Sequence, residues 1–87
     1  MDRFEKFGDS VSDPARQAAP LAPSDEQKLE RIPKALFIGT GGDIRLRCID
    51  DDAPVLFRNI PSGSILPVRA EQILANGTSA ADLVGMF

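Results

Sequence analysis

The distribution of apolar residues divides the chain at about residue 34. Only 11 of the first 34 residues are apolar, whereas 26 of the last 53 are. From residue 35 onwards the apolar residues form short runs, which are separated at nearly regular intervals by glycine, proline, asparagine and aspartate. This pattern is typical of an all-β unit. It predicts a small antiparallel sandwich or open barrel over residues 35–87.

The alternation of apolar and polar residues is clearest just after the glycine-rich segment 39–42. There Ile44, Leu46 and Cys48 alternate with Arg45 and Arg47. Because successive side chains of a strand point to opposite faces, the apolar set should face the core and the guanidinium groups should face outwards. Further strands are predicted over residues 35–38, 55–60, 65–74 and 83–87, and Pro67 marks an edge or a bend in the third of them.

Residues 1–34 are predicted to form an extended arm, since Pro14, Pro20 and Pro23 interrupt any helix. At the end of the arm, Ser24 and the acidic and amide residues after it form a capping-box pattern. This pattern predicts one or two turns of helix within residues 24–32, before a proline at position 33.

Near the start of the arm, Phe4 and Phe7 are three residues apart in a charged segment. A short turn would place both rings on one side. They are therefore either an apolar plug for a partner or part of a frayed terminus.

A folded unit this small has little core with which to stabilise itself. A domain of roughly 60 residues buries only about 60% of its unfolded surface, so the gain from burial roughly cancels the loss of chain entropy. One cysteine and no histidine exclude an internal disulfide and a structural zinc site. We therefore expect association between copies to supply the missing stability.

The last apolar strand must pair either within its own chain or with a neighbouring copy, because exposing it would be costly. The predicted interface between copies consists of this strand and the arginines of the alternating strand: Leu83, Val84, Met86, Phe87, Arg45 and Arg47.

The residue types argue against an enzyme. The absence of histidine excludes the usual serine and cysteine nucleophile arrangements. Cys48 is in phase with the core face and is interpreted as an inert small hydrophobic residue. The aspartates at 50–52 are interpreted as a solvated turn and not as a calcium loop, and 39–42 as a turn between strands and not as a phosphate cradle. We predict no catalytic residue, no metal site and no cofactor.

The charge balance argues against two classes of partner. The net charge is −3, and both parts of the chain are slightly acidic, so neither should attract a phosphate backbone strongly. No apolar run approaches the length of a bilayer span, and no signal peptide or membrane anchor is expected. We predict no nucleic-acid partner and no membrane partner. A small nucleic-acid-binding barrel is the less favoured alternative, using a face of Arg45, Arg47, Arg58 and Arg69.

From residue 33 onwards, several stretches in a fixed order resemble the spike base protein family of tailed phages and of the gene transfer agents of alphaproteobacteria. They are ALFIGT at 35–40 with GD at 42–43, NIP at 59–61 with Gly63, ILPV at 65–68, and GT at 77–78 through DLV at 82–84. The arm adds DPAR at 13–16 and PSD at 23–25. The sequence departs from the family at residues 50–54, where the family tends to have a short glycine-containing turn.

The resemblance implies a structural protein that is made in the bacterial cytoplasm and located on the outer surface of the head of a virion or gene transfer agent particle. A homo-pentamer at each capsid vertex would contact the major capsid protein below and a spike or fibre protein above. We assign the capsid contact to the arm, in particular to Phe4, Phe7, Pro14 and Leu21. The alternative within the same β design is a tail or baseplate adaptor.

Overall fold

The computed structural model describes residues 14–87, which form seven β-strands in two antiparallel sheets. Sheet A has the strand order β1-β7-β2-β5, and sheet B has the order β4-β3-β6. The two sheets form a small sandwich, which confirms the predicted all-β class. The strands are β1 Ala18–Pro20, β2 Ala35–Thr40, β3 Gly42–Cys48, β4 Val55–Ile60, β5 Ser64–Leu66, β6 Ala70–Leu74 and β7 Ala81–Met86.

The core lies between the sheets and takes one face from each. Leu36 and Ile38 from sheet A and Ile44 and Leu46 from sheet B are fully buried. Arg45, between the last two, is only half-buried, which confirms the alternation predicted for β3. The complete core cluster is Leu36, Ile38, Ile44, Leu46, Ala70, Ile73, Ala80 and Leu83.

A single residue, Gly41, connects β2 in sheet A to β3 in sheet B. A Cβ atom on Gly41 would overlap the carbonyl oxygen of Ile60 and would lie 2.7 Å from the backbone nitrogen of Ser62. Only glycine fits here without a shift of the backbone. The glycine-rich segment is therefore a corner between strands, as predicted.

The helix predicted within residues 24–32 does not form. The Ser24 hydroxyl does accept hydrogen bonds from the backbone N–H groups of Glu26 and Gln27, at 3.2 and 3.1 Å. However, the N–H groups of Ser24 and Leu29 donate to carbonyls of β6, at 2.8 and 2.9 Å. Bonds to a sheet edge thus replace the bonds of a helix that would be too short to be stable alone.

The arm contributes an edge strand to sheet A. β1 pairs with β7, and the Leu21 N–H donates to the Leu83 carbonyl at 2.9 Å. The backbone nitrogen of Pro20 therefore faces the open edge of the sheet. A proline is tolerated there, because no neighbouring strand requires its N–H as a donor. The last strand, β7, lies between β1 and β2, so it pairs within its own chain.

The segment predicted as one extended stretch over residues 65–74 forms two strands. β5 belongs to sheet A and β6 to sheet B, and Pro67 lies in the connection between them. The predicted division into an arm of residues 1–34 and an oligomerising unit of residues 35–87 stays a prediction. Arm residues 16–29 nevertheless bond to both sheets. In the described part of the chain, no helix is long and apolar enough to cross a bilayer.

Candidate assembly surfaces

An apolar row crosses all four strands on the outer face of sheet A. The strand register pairs Pro20 with Val84, Val84 with Phe37, and Phe37 with Ile65. Phe37 is 37% exposed and Ile65 is 59% exposed. We call these four residues the sheet A row. A continuous apolar stripe on the outside of a sandwich is typical of a contact surface.

A second apolar group lies on the other sheet, at the edge strand β4. Val55 and Leu56 are 47% and 45% exposed, and Arg58 lies two residues further along the same strand. Arg58 is exposed, and its guanidinium group makes no hydrogen bond or ion pair within residues 14–87. Leu56 pairs with Arg45 on the outer face of sheet B, whereas Val55 pairs with the buried Leu46 and points to the opposite face. Leu56 and Arg58 therefore share the outer face, and we call these two residues the β4 patch.

The edge of β4 is less protected than the other three sheet edges. Pro20 removes a hydrogen-bond donor from the edge of β1, β5 has only three residues, and β6 receives hydrogen bonds from the arm. β4 has six residues and no partner on its outer side among the described residues. Its one irregularity is at Asn59, which has a φ of 58° and donates its N–H to the Asp43 carboxylate. An open edge with apolar side chains favours contact with another chain.

A negative charge lies beside the sheet A row. Asp82 is exposed and precedes Val84 by two residues on β7. Its backbone has a φ of 56°, and its carboxylate accepts a hydrogen bond from the Thr40 hydroxyl at 2.7 Å. A Cβ atom on Gly39 would lie only 2.6 Å from the Asp82 Cβ. The carboxylate is therefore held in a defined position at the border of the row.

The structure distributes the predicted interface residues over several places. Val84 and Met86 lie half-buried on sheet A, and Arg45 and Arg47 lie half-buried on sheet B. Leu83 belongs to the core and is only 3% exposed. The prediction for Leu83 is therefore corrected: it packs inside its own chain, because alternation along β7 turns it inwards.

Phe87 holds the arm against the end of sheet A. Its N–H donates to the Gln17 carbonyl at 2.8 Å, and its carbonyl accepts from the Arg16 N–H at 2.7 Å. The Arg31 guanidinium lies over its ring, 4.1 Å from the centroid. Phe87 thus binds the arm of its own chain. Its part in an interface between copies stays a prediction.

Two of the sequence-predicted capsid-contact residues can be placed in the fold. Pro14 is exposed, and its carbonyl accepts a hydrogen bond from the Lys34 ammonium at 3.0 Å. Leu21 is half-buried and packs against the core, so its side chain is engaged within its own chain. Phe4 and Phe7 lie outside the described residues.

Exposed residues on both surfaces were missed in the sequence, although a signal for one of them was present. Phe37 lies between Leu36 and Ile38, and three consecutive apolar residues in a strand make both of its faces apolar. Ile65 and Leu56 carry no comparable signal, because their exposure depends on where the strand ends and which strand it pairs with.

The arginines of sheet B are partly engaged within the chain. Glu71 forms ion pairs with Lys28 at 2.7 Å and with Arg47 at 3.1 Å. The hydrogen bond from Lys28 is the main reason why the pKa of the Glu71 carboxyl lies below its ordinary value, and Arg47 lowers it further. Arg45 donates to the Asn76 carbonyl at 3.4 Å. The face is therefore not a continuous basic stripe of the kind that binds a phosphate backbone.

Cys48 has the surroundings of an inert thiol. Burial, and after it the neighbouring Asp51 carboxylate, raise the pKa of the Cys48 thiol, so it stays protonated near neutral pH. Asp51 accepts a hydrogen bond from the Cys48 N–H at 2.9 Å and donates its own N–H to the Cys48 carbonyl at 3.0 Å. These bonds confirm that the aspartate triplet is part of a turn. Within residues 14–87, no cluster of three or more potential metal ligands is present.

Comparison with solved structures gives the class of this protein. The chain is similar to a chain of the structure titled "Capsid of native GTA particle computed with C5 symmetry", with 39% sequence identity, full coverage of both chains and a TM-score of 0.80. The protein is therefore a structural component of a particle. More particularly, it belongs to the family of gene transfer agent particle proteins that this structure represents. No protein-family model matches the chain, and no curated protein matches it either.

Proposed function

We propose that this protein is the base of a head spike. Copies of it form a ring, a homo-pentamer, on the outer surface of the head at a capsid vertex. The ring joins the major capsid protein below to a spike or fibre protein above. The observation that carries this proposal is the full-length similarity to a chain of a capsid structure computed with C5 symmetry, since fivefold rotation is the symmetry of a capsid vertex.

The two exposed apolar surfaces support an assembly role. A vertex base needs lateral contacts to its own copies, besides contacts to the shell and to the spike. The sheet A row and the β4 patch lie on different sheets of the sandwich, so one copy can contact two neighbours at once. Repetition around a ring then multiplies weak contacts through effective concentration.

The arm is proposed to hold the ring on the shell. Residues 16–29 are bonded to both sheets, so the residues ahead of Pro14 start from a fixed point of the sandwich. Phe4 and Phe7 are the only aromatic residues among the first 34, and we assign the capsid contact to them and to Pro14.

The experiment uses particles that lack this protein, to which the purified full-length chain is added with a small label. The expected result is label at the head vertices in electron micrographs. A Phe4→Ala/Phe7→Ala double variant should decorate the vertices about tenfold more weakly or worse, because truncating interface aromatics typically removes this much affinity. Lys6→Ala in the same segment is the matched control and should decorate like the unchanged chain.

Two outcomes would contradict parts of the proposal. Label on the tail would favour the tail or baseplate adaptor and would exclude the head position. Full decoration by the double variant would leave the vertex role standing but would remove the capsid contact from the two phenylalanines. A salt-dependent gel shift with single-stranded DNA would favour the nucleic-acid-binding barrel, against which the acidic net charge argues.

A further inference from the structure

We propose that the sheet A row of one copy packs against the β4 patch of the next copy, so that the contact between neighbours is head-to-tail. The inference deepens the proposed function, because it rests on the ring of copies proposed above. It names the two surfaces that meet and the kind of symmetry that relates them.

The position of the two surfaces argues for this arrangement. The row crosses sheet A and the patch lies on the edge strand of sheet B, so no side chain is shared between them. If each surface paired with itself, one contact would join only two copies and would leave the other surface exposed. A head-to-tail contact covers both surfaces in every copy of a closed ring.

The edges of the sheets argue for contact through the face of sheet A and against extension of that sheet. Pro20 leaves the open edge of β1 without a donor at this position, and β5 has only three residues before Pro67. Neither edge suits the addition of a further strand. The apolar surface that remains on this sheet is its outer face, whose most exposed members are Phe37 and Ile65.

The charges beside the two surfaces are complementary. Asp82 borders the row, and Arg58 ends the patch and has no partner within the described chain. When Leu56 covers the row, an ion pair between Asp82 of one copy and Arg58 of the next satisfies both charges.

The test uses two full-length variants, each of which places a charge in one surface. Ile65→Asp damages the row and Leu56→Asp damages the β4 patch, while each variant keeps its other surface intact. Sedimentation velocity over a concentration series is the measurement. The unchanged chain should form closed oligomers, and each variant alone should be monomeric at the same concentrations. Burying an unpaired carboxylate should weaken the contact by about tenfold or more.

Mixing the two variants distinguishes the proposed contact from the alternatives. One intact row and one intact patch remain, so the mixture should form a dimer and nothing larger. The matched control is Ile32→Asp, since Ile32 is 38% exposed and lies in no strand. It should assemble like the unchanged chain. Circular dichroism must show the same fold for all variants, and if Ile65→Asp unfolds, Asp82→Asn serves as a second variant with weaker assembly expected.

Three results would overturn the inference. Oligomers of Leu56→Asp alone would assign the contact to the row pairing with itself, and oligomers of Ile65→Asp alone would assign it to the patch. A monomeric unchanged chain would assign the row to a different occupant, either residues 1–13 of the same chain or a capsid protein. Vertex decoration by such a monomer would leave the proposed function intact, whereas rings that do not bind particles would contradict the proposed function alone.

Discussion

Gly41 is the residue on which the connection between the two sheets depends. Its φ is not in the left-handed region, so the requirement for glycine is steric and comes from the Ile60 carbonyl and the Ser62 nitrogen. Gly63 presents the opposite case, because its φ is 82° and a Cβ atom there would meet nothing within 4 Å. Glycine is therefore required at position 41 because a side chain has no space, and it is favoured at position 63 because of the backbone conformation.

Replacing Gly41 by alanine should destabilise the fold by about 3 kcal/mol or more, because the new Cβ must displace backbone atoms of the turn after β4. Gly63→Ala is the matched control and should cost about 1 kcal/mol, which is the cost of forcing alanine into a left-handed conformation. Urea unfolding followed by circular dichroism measures both values. Equal losses in the two variants would contradict the steric explanation.

At the scale of the elements, one carboxylate adds to the backbone hydrogen bonds that link the arm to sheet B. Glu71 on β6 binds Lys28 of the arm and Arg47 of β3, so it joins three segments that are distant in sequence. Since these cations lower the folded-state pKa of Glu71, the carboxylate stabilises the fold at any pH above its ordinary, unfolded value. This contribution is lost as the pH falls through the lowered value.

We therefore expect the unfolding midpoint of the unchanged chain to fall more steeply in acid than that of Glu71→Gln. The two proteins should differ most above pH 5 or so, where the carboxylate is charged in both the folded and unfolded states, and should converge in strong acid. Asp52→Asn is the control, because Asp52 is exposed and its side chain makes no hydrogen bond or ion pair within residues 14–87. Parallel profiles for the unchanged chain and Glu71→Gln would show that the ion pairs do not stabilise the fold.

The same elements show how much of the fold the sequence could predict. The strand around Ile44 and Leu46 was predictable because alternation is local. The prediction of a helix after Ser24 was wrong because its capping pattern is also local, whereas the β6 carbonyls that accept from the Ser24 and Leu29 N–H groups are 49 and 42 residues away in the sequence. Pro67 was compatible with an edge or with a bend, and only the packing of two sheets decides between them.

For the candidate surfaces too, features that depend on local sequence were predictable, and features that depend on the arrangement of the strands were not. Val84 and Met86 were predicted from the apolar last strand and lie on its outer face. Leu83 was assigned wrongly because the strand was treated as a block and not as two alternating faces. Val55 and Leu56 could not be found in advance, since their exposure arises from the order of strands in sheet B, which places β4 at an edge.

At the scale of the whole molecule, the chain combines a completed core with uncovered outer surfaces. The buried cluster takes side chains from both sheets, and no buried side-chain nitrogen or oxygen within the described residues lacks a hydrogen-bond partner. Association between copies, which the small size of the unit leads us to expect, is therefore not needed to complete the interior. Neighbouring copies would stabilise the fold through its outside.

This kind of stabilisation predicts how the melting temperature depends on concentration. If copies associate only when folded, the melting temperature of the unchanged chain should rise with protein concentration, by mass action. Ile65→Asp should melt at a temperature that is independent of concentration, close to that of the unchanged chain at high dilution. Differential scanning fluorimetry over a hundredfold range of concentration is sufficient to check this. Such a range changes the free energy that association adds to folding by roughly 2.7 kcal/mol. Identical slopes for both proteins would argue against stabilisation by the row.

The corner at Gly41 also bears on the curvature of the proposed ring. It helps to set the angle between the planes of the two sheets, and the two surfaces that we propose to meet neighbouring copies lie one on each sheet. In a cyclic assembly, the rotation from one subunit to the next must divide a full circle evenly, which for five subunits means about one fifth of a turn. A glycine without space for a single methyl group would thereby influence how many subunits a circle can hold.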